Sequence, residues 1–349
     1  MTDVWNSFGP SGGRRHGPTA RPQTLTVDVH SHVGVPAAAK IVEGHLDIST
    51  IPLARYGTPD TKELNRKQDA DRRSRMMEYD DRLKDMDAAG IDKQLIMCPP
   101  PQCYYTVKTD IAAKASRVVN DGLAEYVAGR PDRFVSLGTV PLQDGHMAAA
   151  ELEYVMSLGM KGVQILTNVA GKELSDPEFA PFWAKAEELG ALVLLHPNGF
   201  TEAERLSRFY FNNIIGNPLE TTIALHYLIF DGVMERHPKL KIFAVHGGGF
   251  TGAYWARMDH AWNARSDVKV IPHAPTTYLK RMYFDTVVFS VEQLEALVRM
   301  AGVGHVLMGT DYPYDMADSD PVGHVMASAL DDAAKAAIVG GNAVKLLGL

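Results

Sequence analysis

The chain has 349 residues, is 46% hydrophobic and 22% charged, and carries a formal net charge of -7. That ordinary globular balance excludes a disordered chain, and the negative charge without a basic stripe excludes a nucleic-acid partner. No apolar run reaches the roughly 18 residues of a transmembrane helix, and the two cysteines, Cys98 and Cys103, form no CxxC pair, which points to a reducing, cytoplasmic setting.

Residues 1–23 hold Gly, Pro and Arg without an apolar stretch, so they read as a flexible arm and not as a signal peptide. Residues 24–349 then form one domain. Its first strand is 25–32 (LTVDVHSH). The segment 36–77 is long, polar and rich in Arg, Asp and Lys, and suits an insertion over one end of the fold. A helix at 80–89 is closed by Gly90 as a C-terminal cap. Strand 93–99 follows, then helix 108–128, strand 133–141, helix 146–158 and strand 161–167. Asp176 and Pro177 open the next helix in the favoured cap-then-proline order, and Gly190 closes it. Strand 191–197, helix 220–236, strand 240–249, strand 281–288, helix 291–301, strand 305–313 and helix 331–347 complete the series. Eight strands alternating with helices imply parallel pairing. Continuous apolar runs such as ALVLLH and KIFAVH suit strands buried on both faces. An open doubly wound sheet competes, but the count of eight predicts a closed (β/α)8 TIM barrel with an insertion after strand one.

The polar residues of these strands cluster at their C-terminal ends. His30 and His32 end strand one, His196 ends strand five, His246 ends strand six and Asp311 ends strand eight. In a β/α barrel those ends meet at one rim, where active sites lie. His30 and His32 are two apart, so on a strand they face the same way. Imidazole with carboxylate suits Zn²⁺ and neighbouring divalent ions. Other histidines read differently. His226 sits in an apolar helix pattern and reads as core, while His237, His260, His273, His305 and His324 fall on helix ends or loops and read as solvated. Cys98 and Cys103 read as structural or pocket-wall residues rather than as ligands.

At HSH (30–32), HPNGF (196–200), VHGGGF (245–250) and GTDYPYD (309–315) the chain resembles the amidohydrolase-related metal-dependent decarboxylase family, in the subgroup that includes 2-amino-3-carboxymuconate-6-semialdehyde decarboxylase. The resemblance spans roughly 25–348. It implies one divalent metal, zinc with manganese as the alternative, on His30, His32, His196 and Asp311. It makes His246 a base beside metal-bound water, and Asp311 both ligand and proton shuttle. It also implies that Arg265, in DHAWNAR, reaches a substrate carboxylate across a homodimer interface. A second substrate arginine would come from Arg72, Arg73 or Arg75. Other amidohydrolases bridge two metals through a lysine at the end of strand four. Here Lys161 stands at that strand's beginning, roughly 20 Å from the rim, so one metal is expected. The family has an aromatic residue where this chain has Asn198, which predicts a substrate contact able to meet an oxygen substituent. The reaction implied is non-oxidative decarboxylation of a carboxylated aromatic or ring-cleavage product. Hydrolysis and hydration are the alternatives that the same apparatus supports, and a binding module is the non-enzymatic rival.

Overall fold

The computed structural model describes residues 22–349, so the arm expected at 1–23 lies almost wholly outside the described residues. Among them, eight parallel strands make a barrel: β1 (Val27–His32), β2 (Lys93–Met97), β3 (Phe134–Ser136), β4 (Gly162–Leu166), β5 (Leu192–His196), β6 (Lys241–Ala244), β7 (Tyr283–Asp285) and β8 (Val306–Leu307). β1 to β3 form one hydrogen-bonded run and β4 to β8 another. Two single bridges join the runs. Gly138 pairs with Val163 between the β3 and β4 sides, and Ser31 pairs with Tyr312 where the first strand meets the last. The chain is a (β/α)8 barrel, as its alternating pattern predicts.

Local sequence explains most boundaries. Gly90 and Gly190 end their helices in the left-handed conformation, at φ +74° and +60°. Asp144 accepts hydrogen bonds from the amides of His146 and Met147 and so starts helix Gly145–Ser157. Asp176 caps the turn Pro177–Phe179 in the same way. Helix Val291–Ala301 buries Leu294, Leu297, Val298, Met300 and Ala301 along one face. Gly162 opens β4 at φ +145°, and a Cβ there would collide with the backbone of Leu192 on β5. Glycine is therefore what lets these two strands approach.

The strands are shorter than their apolar runs. Those expected at 133–141, 240–249 and 305–313 keep ladder pairing only over β3, β6 and β8. Beyond those points the backbone turns away to build the rim. The polar segment 36–77 folds into helices Pro36–Val42, Pro52–Arg55, Pro59–Asp71 and Arg73–Met77, three of them opened by proline. Helix Thr251–Ala264 fills a stretch for which the pattern gives no element. The helix expected at 331–347 is interrupted by a wide turn at Ala337–Gly341, where Gly340 rests against the backbone of Leu25. No helix among the described residues is long and apolar enough to cross a membrane.

Candidate active site

The rim residues arrive by different routes. His30, His32 and His196 lie on strands β1 and β5. His246 follows β6 by two residues, in a turn through Gly247, Gly248 and Gly249, all at positive φ. Asp311 follows β8. His246 itself has φ +55° and Asp311 φ +68°. For residues with a Cβ this left-handed conformation costs about 1–2 kcal/mol each, and such strain concentrates where function demands it.

Asp311 is the hub. Its Oδ1 lies 3.3 Å from His30 Nε2, 3.2 Å from His32 Nε2 and 3.9 Å from His196 Nε2, while its Oδ2 lies 3.4 Å from His246 Nε2. The ring centres of His30, His32 and His196 are 5.0–5.2 Å apart. His246 is 5.3 Å from His30 and 5.2 Å from His196.

The opposite ring nitrogens are tied down. His30 Nδ1 is 2.8 Å from Asp285 Oδ2, His32 Nδ1 is 3.0 Å from the Cys98 carbonyl, and His196 Nδ1 is 2.6 Å from the Pro197 carbonyl. Each Nε2 is left for the centre, and those of His30 and His196 are buried without a hydrogen-bond partner. The donor atoms of His30, His196, His246 and Asp311 all fall within 4.8 Å of one another. Buried imidazole lone pairs around one carboxylate, with their far nitrogens anchored, are a donor set that fits a divalent cation.

Charge balance supports this reading. Burial pushes His196 down to about 3 and moves His32 in the same direction, which keeps both rings neutral near pH 7. Burial also opposes a charge on His30, but Asp311, Asp285 and Asp28 outweigh it and raise its pKa. Burial would raise Asp311, yet the charge of His30 and the imidazoles of His196, His246 and His32 hold it well below the usual carboxylate range.

Sequence reasoning passed over the residues that brace this centre. Asp285 bonds His30 through one oxygen, and through the other accepts the Gly247 amide at 2.8 Å. It thereby ties β1 to the turn that carries His246. Its only signal in the sequence is a carboxylate inside the apolar run YFDTVV. Arg82 is fully buried and donates to the His32 carbonyl and, at 2.9 Å, to Gln94. Among the three arginines raised as candidates, Arg72 is buried, stacks 4.8 Å over Tyr314 and bonds Asp69. The Tyr314 ring lies 5.1 Å from His32. Arg75 is paired with Asp85 at 2.7 Å, and Arg73 is exposed.

Two cavities flank the centre. One, of about 350 Å³, is lined by His246, Asp311, Asn217, Phe250, Phe289 and Leu297. The other, of about 470 Å³, lies on the β4–β5 side and contains Asn198. Asn198 therefore does not share a cavity with His246 and Asp311. Arg265 lines neither cavity. It is exposed at the end of helix Thr251–Ala264 and bonds its neighbour Asp267 at 2.6 Å. Lys161 immediately precedes β4, at the end of the strand opposite the rim, and Cys98 and Cys103 are buried free thiols. One expectation is corrected: His324 is not solvated but fully buried, 3.0 Å from Asp318. The carboxylate partner is what makes that burial tolerable.

The Amidohydrolase family model matches residues 27–349. A 2-amino-3-carboxymuconate-6-semialdehyde decarboxylase of Dictyostelium discoideum is 34% identical over 275 residues, covering 77% of this chain and 76% of that protein. A gamma-resorcylate decarboxylase of Rhizobium sp. is 31% identical over 264 residues, covering 68% of this chain and 78% of its own. Among solved structures, 5-carboxyvanillate decarboxylase from Novosphingobium aromaticivorans, complexed with manganese and 4-hydroxy-3-methoxy-5-nitrobenzoic acid, superposes with a TM-score of 0.83 at 22% identity. That match covers 95% of this chain and 100% of the other. A dihydroxybenzoic acid decarboxylase from Polaromonas sp., with bound manganese and 2-nitroresorcinol, gives 0.79 at 23% identity over 94% and 98% of the two chains.

Proposed function

This chain belongs to the amidohydrolase family and to its metal-dependent decarboxylases, and on that premise we propose that it removes CO₂ without oxidation from a carboxylated aromatic or ring-cleavage-derived acid. One observation carries the reading: the His246–Asp311 pair stands at the wall of a cavity lined by Phe250, Phe289 and Leu297, so a proton donor faces a ring-sized apolar space.

His30, His32, His196 and Asp311 would hold one divalent ion. Zinc suits the histidine-rich set, and manganese, present in the two structural relatives, is the second ion to test. When bound, such an ion supplies Lewis acidity to a substrate oxygen. The chain's own groups do the rest. His246 and Asp311 hold a proton between Nε2 and Oδ2, 3.4 Å apart, and deliver it to the carbon that bears the carboxylate. The bond from that carbon to the carboxyl group then breaks, its electron pair stays on the substrate carbon, and CO₂ leaves. Overall, one proton is taken up for each CO₂ released, and solvent restores the proton. Phe250, Phe289 and Leu297 offer the substrate ring an apolar face. Of Arg72, Arg73 and Arg75, the buried Arg72, stacked on the Tyr314 ring that lies 5.1 Å from His32, is the one proposed to meet the substrate's charge, although it lines neither cavity.

Arg265 can serve only a neighbouring copy, because it is exposed and remote from its own cavities. A homodimer with exchanged arginines is the arrangement proposed, in a cytoplasmic setting that suits the two free thiols. Sedimentation showing a fully active monomer would remove the exchange. The reaction itself is tested by mass spectrometry of metal-loaded protein with hydroxylated aromatic acids and muconate semialdehydes. Loss of CO₂ is expected. Gain of water with bond cleavage would instead establish hydrolysis, and gain of water alone hydration.

A further inference from the structure

The cavity of about 470 Å³ on the β4–β5 side is larger than the one at His246, and the reaction proposed above does not use it. Its position is close to the centre. Leu166, in its wall, pairs in register with His196, and Asn198 follows His196 by two residues. Gly199, in the same wall, donates at 2.8 Å to Asn217, which lines the other cavity. The two spaces are neighbours on either side of the β5 loop, yet share no lining residue.

The chemistry of this wall is selective. The chain carries 42 acidic residues, but no carboxylate lines the cavity among the described residues. The acids nearest by contact are already engaged: Glu204 accepts from Tyr56 Oη at 2.8 Å, and Glu220 accepts from Asn168 Nδ2 at 3.0 Å and the Thr201 amide at 2.9 Å. The lining cation is Arg55. It is exposed, stacks 4.9 Å over Tyr56, feels the charge of Glu204 and, among the described residues, forms no direct ion pair. Tyr104 and Tyr105 add two buried rings. Tyr104 is held at φ +53°, and Gln143 pins its turn through the carbonyls of Tyr104 and Val107 at 3.0 and 3.2 Å. The hydroxyl of Tyr105 is buried, with the backbone of Leu166 as its neighbour. A rigid aromatic wall, a guanidinium without a direct ion pair, a polar amide at Asn198 and no lining carboxylate together describe a receptor for an aromatic ring bearing an anionic group.

We propose that this cavity is a second ligand site, distinct from the reaction centre, which takes an aromatic carboxylate with its ring against Tyr104 and Tyr105 and its carboxylate toward Arg55. Its bearing on turnover rests on the decarboxylase reading: the acid would occupy the site, whereas the decarboxylated product, having lost its carboxylate, would not. Occupancy itself does not depend on that reading, because it is measured without turnover.

The probe is benzoate, titrated calorimetrically into the metal-loaded protein. Two sites per chain are expected. Arg55→Gln should weaken one at least tenfold and leave the other, while Arg72→Gln should do the reverse. Benzyl alcohol, which keeps the ring and loses the charge, should bind the Arg55 site at least tenfold more weakly than benzoate. Tyr105→Phe, which keeps the ring, should leave that site's stoichiometry intact. A single benzoate site per chain, or two sites both indifferent to Arg55→Gln, would overturn the proposal. Benzoate binding at two sites in a protein that releases no CO₂ from any tested acid would leave this site standing and remove the decarboxylase reading alone.

Discussion

At the scale of single residues, two substitutions separate proton transfer from metal retention. His246 meets Asp311 through Nε2 at 3.4 Å, and its Nδ1 is buried without a partner. His246→Ala should keep the metal and lose two to four orders of magnitude in kcat, on the order of a general acid–base contribution. Elemental analysis beside a turnover assay checks this, and loss of metal would make His246 a ligand. Asp285 does the opposite job. It fixes the Nδ1 of His30 and the amide of Gly247 with its two oxygens, so Asp285→Asn should lower metal affinity about 10–100-fold. Competition with a chromogenic chelator measures that loss. The five rim residues were legible in the sequence because each stands at the end of an apolar run, where a titratable side chain has no packing role. Asp285 was less legible because it ends a strand of three residues, and nothing in a linear pattern shows that its partner is His30. Arg72 could not be told from Arg73 and Arg75 in sequence. Only the packing of Tyr314 on one of the three distinguishes them.

At the scale of elements, the alternation of strand and helix was readable because buried parallel strands need nearly continuous apolar residues, and because Gly90 and Gly190 close their helices with a positive φ. Strand lengths were overestimated for a physical reason. The apolar runs continue past the ladder into buried rim segments that keep only scattered backbone bonds, such as Leu137 N to Ile96 O at 2.9 Å and Val245 N to Leu195 O at 3.4 Å. The insertion was recognised as an interruption, but its helices were not, since its polar residues show no strong apolar stripe. Gly162 offers a test of the barrel wall. Any side chain there meets the backbone of Leu192 and must adopt φ +145°. Gly162→Ala should therefore destabilise the fold by about 2–4 kcal/mol, the range for backbone strain combined with overpacking. Denaturant unfolding of the metal-free protein would show it as a lower midpoint. An unchanged midpoint would mean that β4 and β5 can separate without cost.

At the scale of the whole molecule, metal and fold are coupled. A site drawn from β1, β5 and the residue run after β8 exists only in the folded chain, so an ion that binds there stabilises it by mass action. With free metal at a hundred times its dissociation constant the gain is about 2.7 kcal/mol. Chelation should lower Tm by several degrees, and one equivalent of zinc or manganese per chain should restore it. A restoration that needs two equivalents would contradict the single-metal reading. An unchanged Tm would place the ion outside these residues.

The barrel closes where Ser31 bridges Tyr312, and that seam also runs through the reaction centre. His32 and Asp311 face each other across 279 positions of sequence. A growing polypeptide thus carries His30 and His32 long before it can present them with their shared carboxylate, which in the case of His32 follows 279 positions later. Contacts of such sequence separation form late, after the shorter loops have already closed. Premature capture of a cation is disfavoured by construction, because the hub that gathers the imidazoles is the last part to arrive. A chain truncated between His246 and Asp311 would keep the four histidines of the centre and lose the group that organises them.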